Sequence, residues 1–383
     1  MLMMLKKLIP NNKNLMPKAQ ETVLEINLGA LSHNFNYLKS KLKPNTKFLA
    51  VVKAFAYGSD TIRIAKHLEE LSVDYFAVAY GNEGVLLREN GIKTPILVLH
   101  PQPVNFKSLI DHCLEPSLYN AKVLKGFADV AEEQKQKDYP VHIKFNTGLN
   151  RLGFWESDVD YISSQLNVTN SVMVKSVFSH LAASEDINEK SFTGNQINKF
   201  KAIAMHIETN LGFKPWLHIC NTSGVLNYPE AHFDMVRCGI GLYGFGNSVE
   251  EDKKLKPIAS LKSIISQIHK IEKNETVGYN RGYKALGFEK TATIPIGHAD
   301  GISRIYGGGN GFVIINNQKA PIVGNVCMDM LMVNVTNIEC KEGDEVIVFD
   351  SNYKASELAE SANTISYEIL TAISNRVKRL YIK

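Results

Sequence analysis

Between residues 47 and 237, short apolar runs alternate with stretches in which apolar residues recur every three or four positions. This is the pattern of repeated strand–helix units around a parallel sheet. Eight runs stand out: FLAVVK (48–53), DYFAVAY (74–80), PILVLH (95–100), EPSL (115–118), VHIKF (141–145), VMVKSVFS (172–179), WLHIC (216–220) and FDMVR (233–237). Helices are expected between them. Ser59 and Asp60 are good N-caps for the segment carrying Leu68 and Leu71, and a helix over 82–90 stops at Gly91. Ahead of the first run, Leu28, Leu31, Phe35, Leu38 and Leu42 line one face of an amphipathic helix. Eight strand–helix units predict a (β/α)8 barrel of the TIM type.

Beyond about residue 255 the texture changes to alternating and β-branched runs broken by turn residues: TATIPIG, GFVIINN, APIVG, LMVNV and EVIVF. These predict a mainly β C-terminal domain. ISYEILTAISNRVKRL predicts a helix that closes the chain, its basic residues gathered in the last turns where they suit the helix dipole. The expected organisation is a disordered tail or linker over 1–22, an α/β barrel over 23–254 and a β domain over 255–383.

Composition narrows the function. A chain of 383 residues suits two domains, and a net charge of +4, from 43 basic against 39 acidic residues spread along the sequence, argues against nucleic acid as a partner. The five cysteines are scattered, with no CxxC or Cys/His ligand spacing, so reduced thiols in a cytoplasmic protein and no metal are expected. The start, MLMMLKKLIPNNKNLMPK, places apolar residues before lysines, the reverse of a signal peptide, and its apolar run is too short to span a membrane. Met3, Met4 and Met16 are alternative starts.

Barrel enzymes carry their active sites at the C-terminal ends of the strands. Lys53 closes the first run, His180 follows the sixth, Asn221 and Thr222 follow the seventh, and Arg237 closes the eighth. Any one of these alone is more often a solvated strand end or a structural histidine; their coincidence on one face is the signal. The loops after runs seven and eight, NTSG (221–224) and CGIGLYG (238–244), have the small and hydroxyl residues that suit a phosphate. Gly239–Gly244 also spells GxGxxG, which raises a nicotinamide dehydrogenase as a rival. The following FGNSVEEDKKLKP lacks an apolar helical period, so no dinucleotide-binding unit can form there. A lysine at a strand end beside a phosphate site is what a pyridoxal 5′-phosphate enzyme needs, because its amine condenses with the cofactor aldehyde.

The stretch AVVKAFAYG (50–58) resembles the cofactor-lysine signature of the alanine racemase family. LEINLGALSHN, KFNTGLNRLGF, FSHLAA, MVRCGIGLYG, VGYN, IPIGHADG, VGNVCMD and ISYE resemble further family motifs, in the family's order, from about residue 23 to the C-terminus. The resemblance implies a pyridoxal-phosphate barrel joined to a β domain. It implies interconversion of L-alanine and D-alanine by two-base proton transfer at Cα, supplying D-alanine for peptidoglycan. In that reading Lys53 holds the cofactor and is the base on one face, and Tyr279 is the base on the other, contributed by the partner subunit of a homodimer. His180 and Arg237 stand behind the tyrosine and the pyridine nitrogen, and an arginine there favours racemisation over transamination. Arg151 and Met328 match the binders of the substrate carboxylate. Tyr57, Thr222, Gly239, Ile240 and Tyr367 match the phosphate cradle, with Asn221 beside it. Lys144 matches a position that is carbamylated in many members, and an ordinary lysine ending a strand is an equal alternative.

Phe55, Ser59, Asn146, Asn150, Thr222, His298, Asn325 and Ser366 depart from the common pattern without removing a catalytic group. His298 and Asn325 fall at entry-channel positions and bear on substrate preference. The rivals are a racemase of another small amino acid, such as serine, and a non-catalytic pyridoxal-phosphate-binding protein; single-barrel relatives of that kind lack the β domain.

Overall fold

A computed structural model describes residues 19–246 and 248–383. Each apolar run becomes a strand: β1 Lys47–Val51, β2 Tyr75–Val78, β3 Ile96–Val98, β4 Glu115–Leu118, β5 Tyr139–Lys144, β6 Val172–Phe178, β7 Trp216–His218 and β8 Met235–Cys238. Neighbours pair in parallel in the order β7-β6-β5-β4-β3-β2-β1-β8. The ring closes between β7 and β8, where Asp234 N donates to Leu217 O at 3.1 Å and Arg237 N to Cys220 O at 3.0 Å. Helix Leu28–Lys39 starts where Asn27 Oδ1 accepts from Ala30 N, and it buries Leu31, Phe35 and Leu38. Helix Thr61–Glu70 is capped by Asp60, which accepts from Arg63 N, and buries Ile64 and Leu68. Each such side chain contributes roughly 1.5–3 kcal/mol through removal from water.

The chain packs as two compact units, and the division is not a single cut near residue 254. Leu24–Leu261, Ala299–Ile302 and Phe349–Lys383 form one unit; the other comprises residues through Val23, Lys262–His298 and Ser303–Val348. In the barrel unit the C-terminal segment is tied down by polar contacts. Arg376 Nε and Nη2 donate to the two carboxylate oxygens of Asp300 at 2.6 and 3.0 Å, Arg379 Nη2 donates to Gly58 O at 2.8 Å, and the Tyr381 hydroxyl donates to Asp60.

These contacts also set the conformation of the chain's end. The expected terminal helix over 365–380 covers only Ser366–Ala372, and Lys378–Ile382 is a strand. The Arg379 guanidinium takes the carbonyls of Ile373, Ser374 and Val377, acceptors that a continuing helix would have needed for its own N–H groups. The basic residues serve as ties and do not complement a helix dipole.

The second unit is built on an antiparallel sheet in the order Gln267–Ile271, Glu289–Ile294, Leu331–Asn334, Gln318–Val323, Phe312–Ile315 and Glu345–Phe349, with Ile294, Ile322, Leu331 and Val333 buried. Of the expected tail, residues 1–18 lie outside the described residues. Ala19–Thr22 are fixed in this unit, Ala19 N donating to Glu345 Oε2 and the Thr22 hydroxyl to Pro295 O, both at 2.7 Å. Among the described residues no helix is long and apolar enough to cross a membrane.

Candidate active site

The first strand ends at Val51, and Lys53 opens a turn of unusual hand. Ala54, Phe55, Ala56 and Tyr57 have φ between 49° and 54°, and Gly58 has φ 78°. A left-handed helical conformation costs an L-residue about 1–2 kcal/mol, so four in succession persist only if the surroundings impose them. Glu83 does much of this: Oε1 accepts from Ala54 N at 2.6 Å, while Oε2 accepts from Ala79 N at 2.7 Å and Tyr80 N at 3.1 Å. One carboxylate thus clamps the lysine turn to the end of β2. Sequence reasoning missed Glu83; the available signal was its place three residues after Tyr80 at a helix start, where a carboxylate reaches back to free N–H groups.

A cavity of about 700 Å³ opens at the C-terminal ends of the strands. It brings together Lys53, Tyr57, Lys144, Arg151, His180, Asn221, Thr222, Arg237, Gly239, Ile240 and Tyr367, all of them expected from the sequence. Ala79, Tyr80, Leu99 and His100 also line it and were not singled out, although each ends one of the apolar runs. The lining holds four cationic side chains, Lys53, Lys144, Arg151 and Arg237, and no carboxylate.

The ionisable groups respond to burial and to one another. Burial, then the Arg151 cation, lowers the Lys53 amine, and Glu83 partly opposes them. Burial, reinforced by Arg151, Arg237 and Lys53, brings Lys144 down to about 8. Burial and Arg237 hold His180 well below its usual range, so its ring is neutral. Burial draws Arg237 down to about 10, which leaves it charged at neutral pH. Its Nη2 donates to Ser179 O at 2.7 Å, Ile219 O at 3.1 Å and His180 Nδ1 at 3.0 Å, and its Nη1 to His218 Nδ1 at 2.7 Å. A guanidinium can only donate, so His180 carries its proton on Nε2.

At one end of the cavity the loops after β7 and β8 are knitted together. Thr222 Oγ1 accepts from Gly239 N at 3.2 Å and Gly241 N at 3.3 Å, while Asn221 Oδ1 accepts from Gly224 N and from the Ser184 hydroxyl, both at 2.8 Å. The Tyr57 ring stacks on Tyr243 with centroids 4.3 Å apart and meets Tyr367 at 5.9 Å. A Cβ at Gly239 would lie 2.3 Å from the Tyr57 hydroxyl oxygen. Hydroxyls and a backbone bare of side chains are donors that suit a phosphate. Gly239→Ala is therefore expected to displace Tyr57, to weaken pyridoxal-phosphate binding at least tenfold by absorbance titration, and to lower stability by about 1–3 kcal/mol through overpacking.

Tyr279 and Met328 are not among the residues lining this cavity. Both belong to the other unit, where they are 75% and 59% exposed. Tyr279 sits between Gly278 (φ 77°) and Asn280 (φ 56°), and its carbonyl accepts from Asn325 Nδ2 at 3.1 Å. His298 N donates to Cys327 O at 2.9 Å, and a Cβ at Gly297 would lie 2.4 Å from both the Cys327 and the Met328 carbonyl oxygens. The IPIGHADG and VGNVCMD motifs are thus packed against each other.

Residues 26–246 match the alanine racemase N-terminal domain, and residues 258–381 match the alanine racemase C-terminal domain. An alanine racemase of Clostridium perfringens is 37% identical over 370 residues, covering 94% of this chain and 95% of the relative. One from Carboxydothermus hydrogenoformans is 34% identical over 367 residues, covering 94% and 98%. Among solved structures, alanine racemase of Clostridium difficile 630 superposes with a TM-score of 0.88 at 33% identity, covering 94% of this chain and 96% of its own. Alanine racemase from Bacillus anthracis with bound L-Ala-P superposes with a TM-score of 0.88 at 29% identity, covering 96% of each chain.

Proposed function

The chain belongs to the alanine racemase family, a family of pyridoxal-phosphate-dependent isomerases, and from that premise we propose how its residues divide the work of interconverting L-alanine and D-alanine. The observation that carries the assignment of roles is the cavity with four cations and no carboxylate, a site in need of anions. The cofactor's phosphate and the substrate's carboxylate supply them. Bound pyridoxal 5′-phosphate provides an electron sink that acidifies the substrate Cα–H.

Lys53 holds the cofactor and, when its amine is free, takes or returns a proton on one face of Cα; its lowered proton affinity suits that task near neutral pH. Tyr57, Thr222, Gly239, Ile240 and Tyr367 hold the phosphate, and Asn221 fixes the loop that carries Thr222. Arg237, a buried donor lining the cavity, would stand at the pyridine nitrogen and, because a guanidinium does not release its proton at neutral pH, would leave that nitrogen unprotonated. Arg151 binds the substrate carboxylate. Tyr279 is the second base, backed by the neutral His180, and Met328 N–H completes the carboxylate site.

Tyr279 and Met328 act in a partner's cavity. Both are exposed, as are Leu286, Phe288 and Met330 in the same unit, and a second copy would cover such side chains in a homodimer. Racemase activity is expected to fall with the dimer population on dilution, followed by sedimentation; full specific activity in a monomer contradicts shared sites. The enzyme works in the cytoplasm and supplies D-alanine for peptidoglycan. Chiral chromatography of alanine and serine incubated separately with the holoenzyme tests the substrate. Alanine should be preferred by about tenfold or more in kcat/KM, and equal turnover of serine would overturn the assignment.

Lys144 is proposed to carry a carbamate, formed when its neutral amine adds to carbon dioxide and releases a proton. Its position near 8 makes that amine available at mildly alkaline pH. Bicarbonate should therefore raise activity, and Lys144→Ala should abolish the response. Without the carbamate, the folded protein holds fewer protons at Lys144 than the unfolded chain between about 8 and 10.5. This penalty is full below that window and is relieved as pH rises through it, so stability rises with pH there. Denaturant titrations in carbon-dioxide-free buffer at pH 7.5 and 9.5 should show the rise in wild type and its reduction in Lys144→Met.

A further inference from the structure

Arg237 is 4% exposed, and among the described residues no carboxylate touches it. A buried cation with no adjacent counter-ion is costly, which directs attention to what lies behind its neighbours. Because Arg237 can only donate, Nδ1 of His218 is an acceptor and the ring proton sits on Nε2. That N–H donates to Ser176 Oγ at 2.8 Å. The Ser176 hydroxyl is then free to donate to His142 Nδ1 at 2.6 Å, which places the His142 proton on Nε2, 2.7 Å from Glu115 Oε2. The same oxygen accepts from the Tyr75 hydroxyl at 2.9 Å.

The path visits β8, β7, β6, β5 and β4 in turn, from the cavity to the first residue of β4. His218, Ser176 and His142 are wholly buried. Every hydrogen along the path is used once, and the path ends on a carboxylate. The opposite polarity would set a His218 N–H against an Arg237 N–H. A cationic His142 would leave the buried Ser176 hydroxyl accepting twice with no acceptor on the path for its own proton. Burial and Arg237 hold His218 well below its usual range, in keeping with a neutral ring.

We propose that Glu115 is a positioning residue for the racemase reaction, compensating and orienting Arg237 through His142, Ser176 and His218. The proposal rests on the assignment of Arg237 to the cofactor's pyridine nitrogen made above. In a dry interior, successive hydrogen bonds polarise one another, so a charge at one end is felt at the other. Glu115→Gln keeps the shape and an acceptor while removing the charge.

The test is 15N NMR of holoenzyme labelled at histidine, with His142→Gln and His218→Gln used for assignment, alongside steady-state kinetics. Both rings should appear as neutral Nε2–H tautomers. Glu115→Gln should shift the nitrogens of His142 and also of His218, two links further on. It should lower kcat about tenfold at unchanged KM for alanine, the rate equivalent of weakening one charge-assisted hydrogen bond. Ser176→Ala should lower kcat similarly, and Ser176→Thr should restore it. Shifts confined to His142, or an unchanged kcat, would overturn the proposal. If Glu115→Gln does not fold, the two Ser176 variants decide by the same readouts. Correct tautomers in a wild-type holoenzyme that does not racemise alanine would refute the activity assignment instead, and with it Glu115's role in the reaction.

Discussion

Lys53→Ala is expected to reduce alanine racemisation by about 10⁴-fold or more and to remove the covalent cofactor signal from the visible spectrum. The loss is larger than for any other substitution because one side chain performs two tasks. Its amine anchors the cofactor, and it is also the proton carrier on one face of Cα. Both tasks need an amine that sheds its proton readily, and the cavity provides this by burial and by the Arg151 cation. The left-handed turn over 54–57, clamped by Glu83, fixes where that amine sits. Pyridoxal phosphate should still bind non-covalently to the variant, since the phosphate cradle of Tyr57, Thr222 and Gly239 is untouched. Spectroscopic titration and chiral product analysis on one preparation separate the two effects; racemisation within tenfold of wild type would exclude Lys53 from both roles.

Tyr279→Phe is expected to lower racemisation by about 10²–10⁴-fold while leaving cofactor attachment intact. Removing one of two opposed bases has an asymmetric signature. The enantiomer whose Cα–H faces Lys53 should still exchange that hydrogen with solvent, because Lys53 takes and returns it on the same face. Inversion should fall by the same factor. Symmetric loss of exchange from both enantiomers would point to a damaged fold, and retention of inversion would remove Tyr279 from the chemistry. Mixing this variant with Lys53→Ala tests shared sites: a heterodimer that pools both defects in one cavity leaves the other cavity with native Lys53 and Tyr279, so activity should reappear on subunit exchange.

The barrel was legible because a parallel sheet covered on both faces leaves near-continuous apolar runs, and the residues that end those runs necessarily meet at one rim. Lys53, His180, Thr222 and Arg237 were found in this way, and the cavity contains all four. What periodicity could not reveal was backbone hand and long-range ties. Nothing in KAFAY announces four successive residues of positive φ, since the turn is held at Ala54 by Glu83, a residue of the next strand–helix repeat. The end of the chain misled for a related reason: the helical period in ISYEILTAISNRVKRL is real, but Asp300 and Gly58 claim Arg376 and Arg379 and break it. Glu115, His142, Ser176 and His218 were not singled out, because what links them is the side-by-side order of β4, β5, β6 and β7, which a linear reading does not contain.

Inversion at Cα through two opposed proton carriers can be followed by incubating wild-type holoenzyme with L-alanine in D₂O and analysing both enantiomers by chiral mass spectrometry. D-alanine should carry deuterium at Cα from the earliest time points. Cofactor bound at full stoichiometry with no deuterium incorporated and no D-alanine formed would contradict it.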